Sequence, residues 1–270
     1  MAKDFDSAYW GQVVRRLDKG GREELWRAYC QWVYGSLMDR WLKKDKAALA
    51  LKTDLYDEAI ASHNLVDLLR ERFGKAVGTD LSFDVASSAQ ARMKADSKRR
   101  VPAAVSDARK LALRPGSLGV VLSTSTLDHF ESDADIHESL KELAGALKPG
   151  GALVITLDNP VNPVVFVRNA LPYRLLKRLG IINYFVGRTL SRQALERALE
   201  ACGLMVEAST SIIHAPRILA MRCGRLVDRI GNDRLKIWFL MTLRFFELLE
   251  RLPTRDLTGY FVAVKAVKKK

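Results

Sequence analysis

The sequence predicts an α/β fold built on a mostly parallel sheet, and two observations carry that prediction. The first is a strand–loop–helix–strand pattern from Leu118 to Asn159. Leu118-Gly119-Val120-Val121-Leu122-Ser123 is a short apolar run, and Ala152-Leu153-Val154-Ile155-Thr156-Leu157 is another. Runs this short and this rich in Val, Leu and Ile suit strands buried on both faces. Between them Asp135 to Leu147 places Leu140, Leu143, Ala144 and Leu147 on one helical face, and Pro149-Gly150 stops the helix. A strand, a crossover helix and a second strand make a right-handed βαβ unit. The second observation is that short apolar runs and helical periods alternate on both sides of this unit, as in α/β proteins.

Taken in order, residues 1–46 read as an N-terminal helical cap, with Trp10, Trp26, Trp32 and Trp41 spaced among charged residues. The main domain is expected over 47–270. Residues 47–58 hold the first strand and its loop, with no glycine between Gly35 and Gly74. Polar groups stand there instead: Lys52, Thr53, Asp54, Asp57 and Glu58. Residues 59–73 are helical, with Leu65, Leu68 and Leu69 on one side. Lys75 to Ser82 is the second strand, ending at Asp80-Leu81. A helix over 84–100 precedes the third strand and its loop, 102–109, which ends in Asp107-Ala108-Arg109. The fourth strand turns polar at Ser123-Thr124-Ser125-Thr126, before Leu127-Asp128-His129-Phe130. After the fifth strand come a mixed apolar and basic insertion, about 160–190, and a helix from Arg192 to Cys202, capped by Ser191 and stopped by Gly203. Leu204 to Ile213 alternates as a sixth strand. A second apolar and basic insertion covers 215–252. Gly259 to Val267 alternates as a last strand, expected antiparallel beside the fifth.

A chain of 270 residues, 48% hydrophobic and 28% charged, has the composition of a soluble domain with additions. Met1 to Arg16 lacks the apolar core of a signal peptide, and Cys30, Cys202 and Cys223 are few and far apart, so a cytoplasmic protein with reduced thiols is expected. The four histidines show no metal-ligand spacing, and no metal is expected. The absence of G-x-G-x-x-G argues against a nicotinamide oxidoreductase. Charge is uneven. Residues 160–270 hold 20 Lys and Arg against 8 Asp and Glu, a net of +12 out of +13. A basic surface of this kind is either simply solvated or meets an acidic partner. Nucleic acid is not expected among such partners, because no binding motif occurs and the aromatics cluster with aliphatics. In Val164-Val165-Phe166-Val167 and Ile237-Trp238-Phe239-Leu240, dense apolar residues stand beside Arg168, Arg234 and Lys236. That pattern suits a helix at an anionic membrane interface, a lid over a greasy substrate, or ordinary core. Trp238 and Tyr184 suit interface positions.

The polar edge after the fourth strand with its His129, the helix, the turn Leu147-Lys148-Pro149-Gly150-Gly151 and the fifth strand together resemble the class I S-adenosylmethionine-dependent methyltransferases. The resemblance covers about residues 45–214 and the last strand. It implies a Rossmann-like, seven-stranded, mostly parallel sheet with an antiparallel last strand, and S-adenosylmethionine as cofactor. By position it implies that Lys52, Thr53, Asp54 and Asp57 meet the amino-acid end of the cofactor. Asp80 and Leu81 would meet the ribose, Asp107 and Ala108 the adenine, and Ser123 and Thr124 would edge the site. His129 would be the catalytic residue, as a base near the acceptor, with Tyr29 and Tyr34 close by. The family's Gly-rich loop after the first strand is missing. S-adenosylmethionine carries no phosphate, so a phosphate-cradling loop is not a strict requirement. The local alternatives are an N-cap for Asp80, a turn for Asp107, a helix start for Asp57, and loop ordering for His129. The expected function is methylation of a small-molecule, hydrophobic or lipid-like acceptor, with possible peripheral membrane association as a corollary. The alternative is a non-catalytic binding or scaffold protein on the same fold.

Overall fold

The computed structural model describes residues 7–17, 23–60, 64–96, 102–178, 182 and 184–269. The basic run Lys98-Arg99-Arg100 and Ile181 lie outside these residues. Helices α1 (Ser7–Leu17) and α2 (Glu24–Trp41) precede β1 (Leu49–Thr53). Then come α3 (Tyr56–Ile60), α4 (Leu65–Phe73), β2 (Lys75–Asp80), α5 (Phe83–Asp96) and β3 (Ala103–Val105). The central unit is β4 (Leu118–Thr124), α6 (Asp133–Ala146) and β5 (Leu147–Asp158). The first insertion carries α7 (Pro163–Ala170) and α8 (Tyr173–Arg178), followed by α9 (Arg192–Ala201) and β6 (Leu204–Ile212). The second carries α10 (Arg217–Ile230), α11 (Asp233–Phe245), a 3-10 turn (Phe246–Arg251) and α12 (Arg255–Thr258), and β7 (Phe261–Lys268) closes the sheet.

The strand order is β3-β2-β1-β4-β5-β7-β6. All pairings are parallel except those of β7, which runs antiparallel between β5 and β6. The chain reverses its winding between β1 and β4, so a crevice opens beyond the C-terminal ends of those strands. Local chemistry sets the helix starts. Asn64, Ser132, Asn162 and Ser191 each accept a backbone N–H at the head of α4, α6, α7 and α9. The Pro-Gly-Gly stop ends α6 at Ala146 as expected, but Lys148 to Gly151 already belong to β5. A register shift between Leu118 and Val120 absorbs the irregularity.

Each face of the sheet carries a core. One side packs α6 and α9 through Leu140, Leu143, Leu195 and Leu199. The other packs α2, α4 and α5 through residues such as Val33, Leu37, Leu69 and Val85. Helix α2 is therefore a layer of the domain, and α10 and α11 lie on it. Tyr29, expected near the acceptor, is fully buried at this joint. Its hydroxyl donates to Glu247, which also accepts from the backbone of Ile213 and His214.

The two apolar insertions are only half covered. Val165 and Leu243 are buried, whereas Phe166, Trp238 and Phe245 are 65%, 68% and 70% exposed. Ordinary core thus accounts for one face of α7 and α11 and leaves the other open. Among the described residues no helix is long and apolar enough to cross a membrane.

Candidate active site

At the end of β1 the chain turns through Lys52-Thr53-Asp54-Leu55. Asp54 takes φ 68°, the left-handed region that usually calls for glycine. Aspartate tolerates it better than most residues, and Asp54 Oδ1 accepts the Tyr56 N–H at 2.6 Å. The close approach that a glycine loop would permit is provided by the neighbouring strand. A Cβ on Gly78 of β2 would stand 2.4 Å from Leu55 Cδ2, so the glycine makes room for the loop's own leucine. Lys52 is buried, and its ammonium donates to Glu58 Oε2 at 2.9 Å and to the Asp54 carbonyl at 2.6 Å. Burial opposes its charge, but Glu58, Asp54 and Asp57 outweigh burial and hold it above the usual lysine range. Lys52, expected at the cofactor's carboxylate, is therefore committed inside the loop. Thr53 Oγ1 donates to Ser123 Oγ at 2.9 Å, which buries Ser123 away from the cleft; Thr124 lines it.

Asp80 ends β2 at the cleft wall. Its Oδ2 accepts the Leu55 N–H at 2.9 Å and its Oδ1 the Ser82 N–H at 2.8 Å. These two bonds tie the β1 loop to β2 and leave acceptor capacity on each oxygen. Asp54, Asp57, Asp80 and Leu81 line one side of the cleft. Burial pushes the Asp80 carboxyl up, and it pushes Asp54 further, with Lys52 opposing and Asp80 adding to the shift. A cation arriving here would favour both ionised forms. Asp57 is paired with Arg27. Asp107 and Ala108 also line the cleft, but Arg109 occupies Asp107 with its backbone N–H, Nε and Nη2 at 2.6 to 3.1 Å. Three donors of Arg109 thus hold this carboxylate in a local turn at the cleft wall.

The cleft of about 1070 Å³ continues past His129. His129 Nδ1 lies 3.0 Å from the Phe185 carbonyl, which only accepts, so the proton is assigned to Nδ1. The ring meets Trp10 of α1 at 4.8 Å and Tyr184 at 5.7 Å between centroids. Tyr9 of α1 accepts the Phe185 N–H at 2.7 Å, which fastens the same wall. His129 Nε2 is 3.8 Å from Oδ1 of the fully buried Asp128, an oxygen without a hydrogen-bond partner among the described residues. Tyr184, expected at a membrane interface, thus faces the cleft. Tyr34 lines it too, bonded to Thr156 Oγ1 at 3.2 Å.

Beyond Tyr184 the lining changes character. Arg168 pairs with buried Asp158 at 2.7 Å and donates to the Tyr260 hydroxyl at 3.1 Å. Arg217 packs over the Tyr260 ring at 4.9 Å. Val164, Val167, Leu171 and Leu176 make the apolar wall. Sequence reasoning did not single out Tyr56, Arg217 or Tyr260 for the site, and it gave Trp10 only a packing role. These residues lie far apart in the chain, and only the alternation of apolar and basic residues in the insertions hinted at this half.

Burial and the charge of Asp158 push the Asp128 carboxyl up to about 6. Between about pH 4 and 6 the folded chain then holds a proton that the unfolded chain releases, so this group's contribution to stability falls as pH rises through that window. Thermal unfolding of Asp128→Asn should lack that fall. Wild type should lose melting temperature relative to the variant from pH 4 to pH 7, and parallel curves would refute the raised carboxyl.

Residues 59–155 match a family model described as a methyltransferase domain. No curated protein sequence matches the chain. Several solved structures share the fold. One is a Haloferax volcanii protein solved in complex with the Trm112 methyltransferase activator, 17% identical, covering 97% of this chain and 98% of its own, with TM-score 0.59. Haemonchus contortus phosphoethanolamine N-methyltransferase 2 with S-adenosyl-L-methionine is 16% identical over 88% of this chain and 53% of its own, TM-score 0.58. Geranyl diphosphate C-methyltransferase of Streptomyces coelicolor, with S-adenosyl-L-homocysteine, is 15% identical over 88% and 75%, TM-score 0.54. The strand order and the antiparallel β7 agree with that likeness. Over residues 59–155 the chain is similar to methyltransferase domains, and across most of its length it shares the fold of these methyltransferase structures.

Proposed function

We propose that this S-adenosylmethionine-dependent methyltransferase acts on a small hydrophobic or lipid-like acceptor, in the cytoplasm at the surface of an anionic membrane. The observation that carries the cofactor side is Asp80. It stands at the C-terminal end of β2 with acceptor capacity on both oxygens, enough for two ribose hydroxyls. Beside it Asp54 adds a carboxylate that gains from a cationic neighbour. When bound, the cofactor supplies a methyl group activated by its sulfonium. The chain's own residues orient and enclose: Trp10, Tyr56 and Tyr184 wall the cleft against water. His129 Nε2 is the acceptor for a proton from the substrate's nucleophile, and the unpartnered Asp128 Oδ1 stands within 3.8 Å to stabilise the imidazolium.

The acceptor side rests on the mouth of the cleft. Val164, Val167 and Ile218 line it and are themselves exposed, so the cleft opens onto the uncovered apolar faces of α7 and α10. Those helices belong to the part of the chain, residues 160–270, that holds a net +12, a composition that suits a peripheral membrane contact. One of the similar structures is named for an acceptor with an isoprenyl chain.

Calorimetry with S-adenosylhomocysteine tests the cofactor site. Asp80→Ala should weaken binding by about 1–3 kcal/mol, whereas wild type that binds neither cofactor form at millimolar concentration would return the chain to the scaffold reading. His129→Gln should lower methyl incorporation from labelled cofactor into extracted lipid by about 10²-fold and alter its pH profile. An unchanged rate and profile would assign His129 to ordering the loop. In sedimentation with liposomes, binding should rise with anionic lipid, fall with salt and weaken in Trp238→Ala. Indifference to every vesicle, with label entering only soluble polar compounds, would exclude the membrane and lipid-like readings.

A further inference from the structure

Arg217 stands at the head of α10, half-buried in the cleft. Its Nη2 donates to the Tyr184 hydroxyl at 3.3 Å, and its guanidinium packs over the Tyr260 ring at 4.9 Å. Three other arginines of the cleft have carboxylates. Arg168 holds Asp158 at 2.7 Å, Arg27 holds Asp57, and Arg225 reaches Glu23 at 3.7 Å. Among the described residues no carboxylate lies within 4.0 Å of the Arg217 guanidinium, nor of Arg222, which lines the same cavity one turn further along the helix. Burial disfavours the Arg217 charge, and Tyr260, Tyr184 and the more distant Asp158 offset that burial without forming an ion pair. The guanidinium retains N–H donors in a planar fork that matches a carboxylate or a phosphate.

From this we infer that the acceptor is an anionic amphiphile whose carboxylate or phosphate docks on Arg217, assisted by Arg222, with its apolar body along Val164, Val167 and Leu171. The inference rests on the methyl-transfer reading for its assignment of this half of the cleft to the acceptor. Tyr184 sets the geometry. Its ring meets His129 at 5.7 Å between centroids and its hydroxyl meets Arg217, so the anion sits about one tyrosine away from the imidazole. The side of the cleft that holds Asp54, Asp57 and Asp80 repels the same anion, so the two ligands enter in one orientation.

Three probes of equal chain length, decyl phosphate, decanoate and decanol, are titrated below their micellar concentrations into the full chain. Each titration is run with and without S-adenosylhomocysteine. The better anion should bind about tenfold or more tightly than decanol, and the choice between phosphate and carboxylate names the head group. Arg217→Gln should bring all three to the decanol level, and Arg217→Lys should fall between. Melting temperature and S-adenosylhomocysteine affinity report that the variants are folded. Equal binding of anion and alcohol by wild type, no binding of any probe, or a preference that survives Arg217→Gln would overturn the inference. Should the preference appear while S-adenosylhomocysteine fails to bind, the anion site stands and the methyl-transfer reading falls.

Discussion

The buried pair between Lys52 and Glu58 is the contact on which the cofactor side depends. Lys52 comes from the core of β1, and Glu58 sits in α3 with 1% of its surface exposed. Glu58 Oε2 takes the ammonium and Oε1 takes the Leu65 N–H at 3.0 Å, so one carboxylate anchors β1, α3 and the head of α4. Removing either partner would leave a charge stranded in the interior, at a cost of about 3–5 kcal/mol. With that anchor in place the loop places Leu55 against Gly78 and presents its N–H to Asp80. A glycine-rich loop reaches such a path through backbone freedom. Here an ion pair and a left-handed aspartate impose it.

The same region shows how backbone conformations of limited tolerance collect where ligands are to be held. Asp54 at φ 68° and Ser125 at φ 50° stand at the ends of the adjacent strands β1 and β4. Ser125 Oγ donates to Asp128 Oδ2 at 2.8 Å, and the Asp158 N–H reaches the same oxygen at 3.1 Å. A 3-10 turn, Leu127–His129, is therefore braced from β4 and from the end of β5. Its backbone carbonyls at Asp128 and Phe130 accept Gly187 and Arg188 at 2.8 Å, which brings the first insertion to the cleft.

Across the cleft, electrostatics divide the space. Carboxylates at the ends of β1 and β2 face arginines from α7 and α10. The arginine half is not part of the βαβ frame. It is built by the two insertions and α1, held to α2 through the Tyr29–Glu247 joint. Such a division lets one frame keep a constant cofactor site while the inserted helices set the acceptor.

The central strand–helix–strand unit was legible in the sequence, because a strand buried on both faces must be short and apolar and a crossover has one hand, while the seven-stranded sheet and its antiparallel last strand followed from the family resemblance. Helix starts at Ser191 and a carboxylate at the end of β2 were legible for the same reason: each depends on neighbours a few residues away. The fate of Lys52 was not. The sequence reading placed it only at the cofactor's amino-acid end, and the fold of α3 over β1 shows it paired with Glu58 at the cleft wall. Asp107 likewise lost its freedom to Arg109, whose guanidinium is oriented by Asp135, 26 residues on. His129, Trp10, Tyr184 and Arg217 meet only when loops distant in sequence close on one another, and no local period records that. An apolar stripe on α11 is written identically whether it faces core or water. The packing of α11 against α2, α10 and the 3-10 turn after it left Trp238 and Phe245 uncovered.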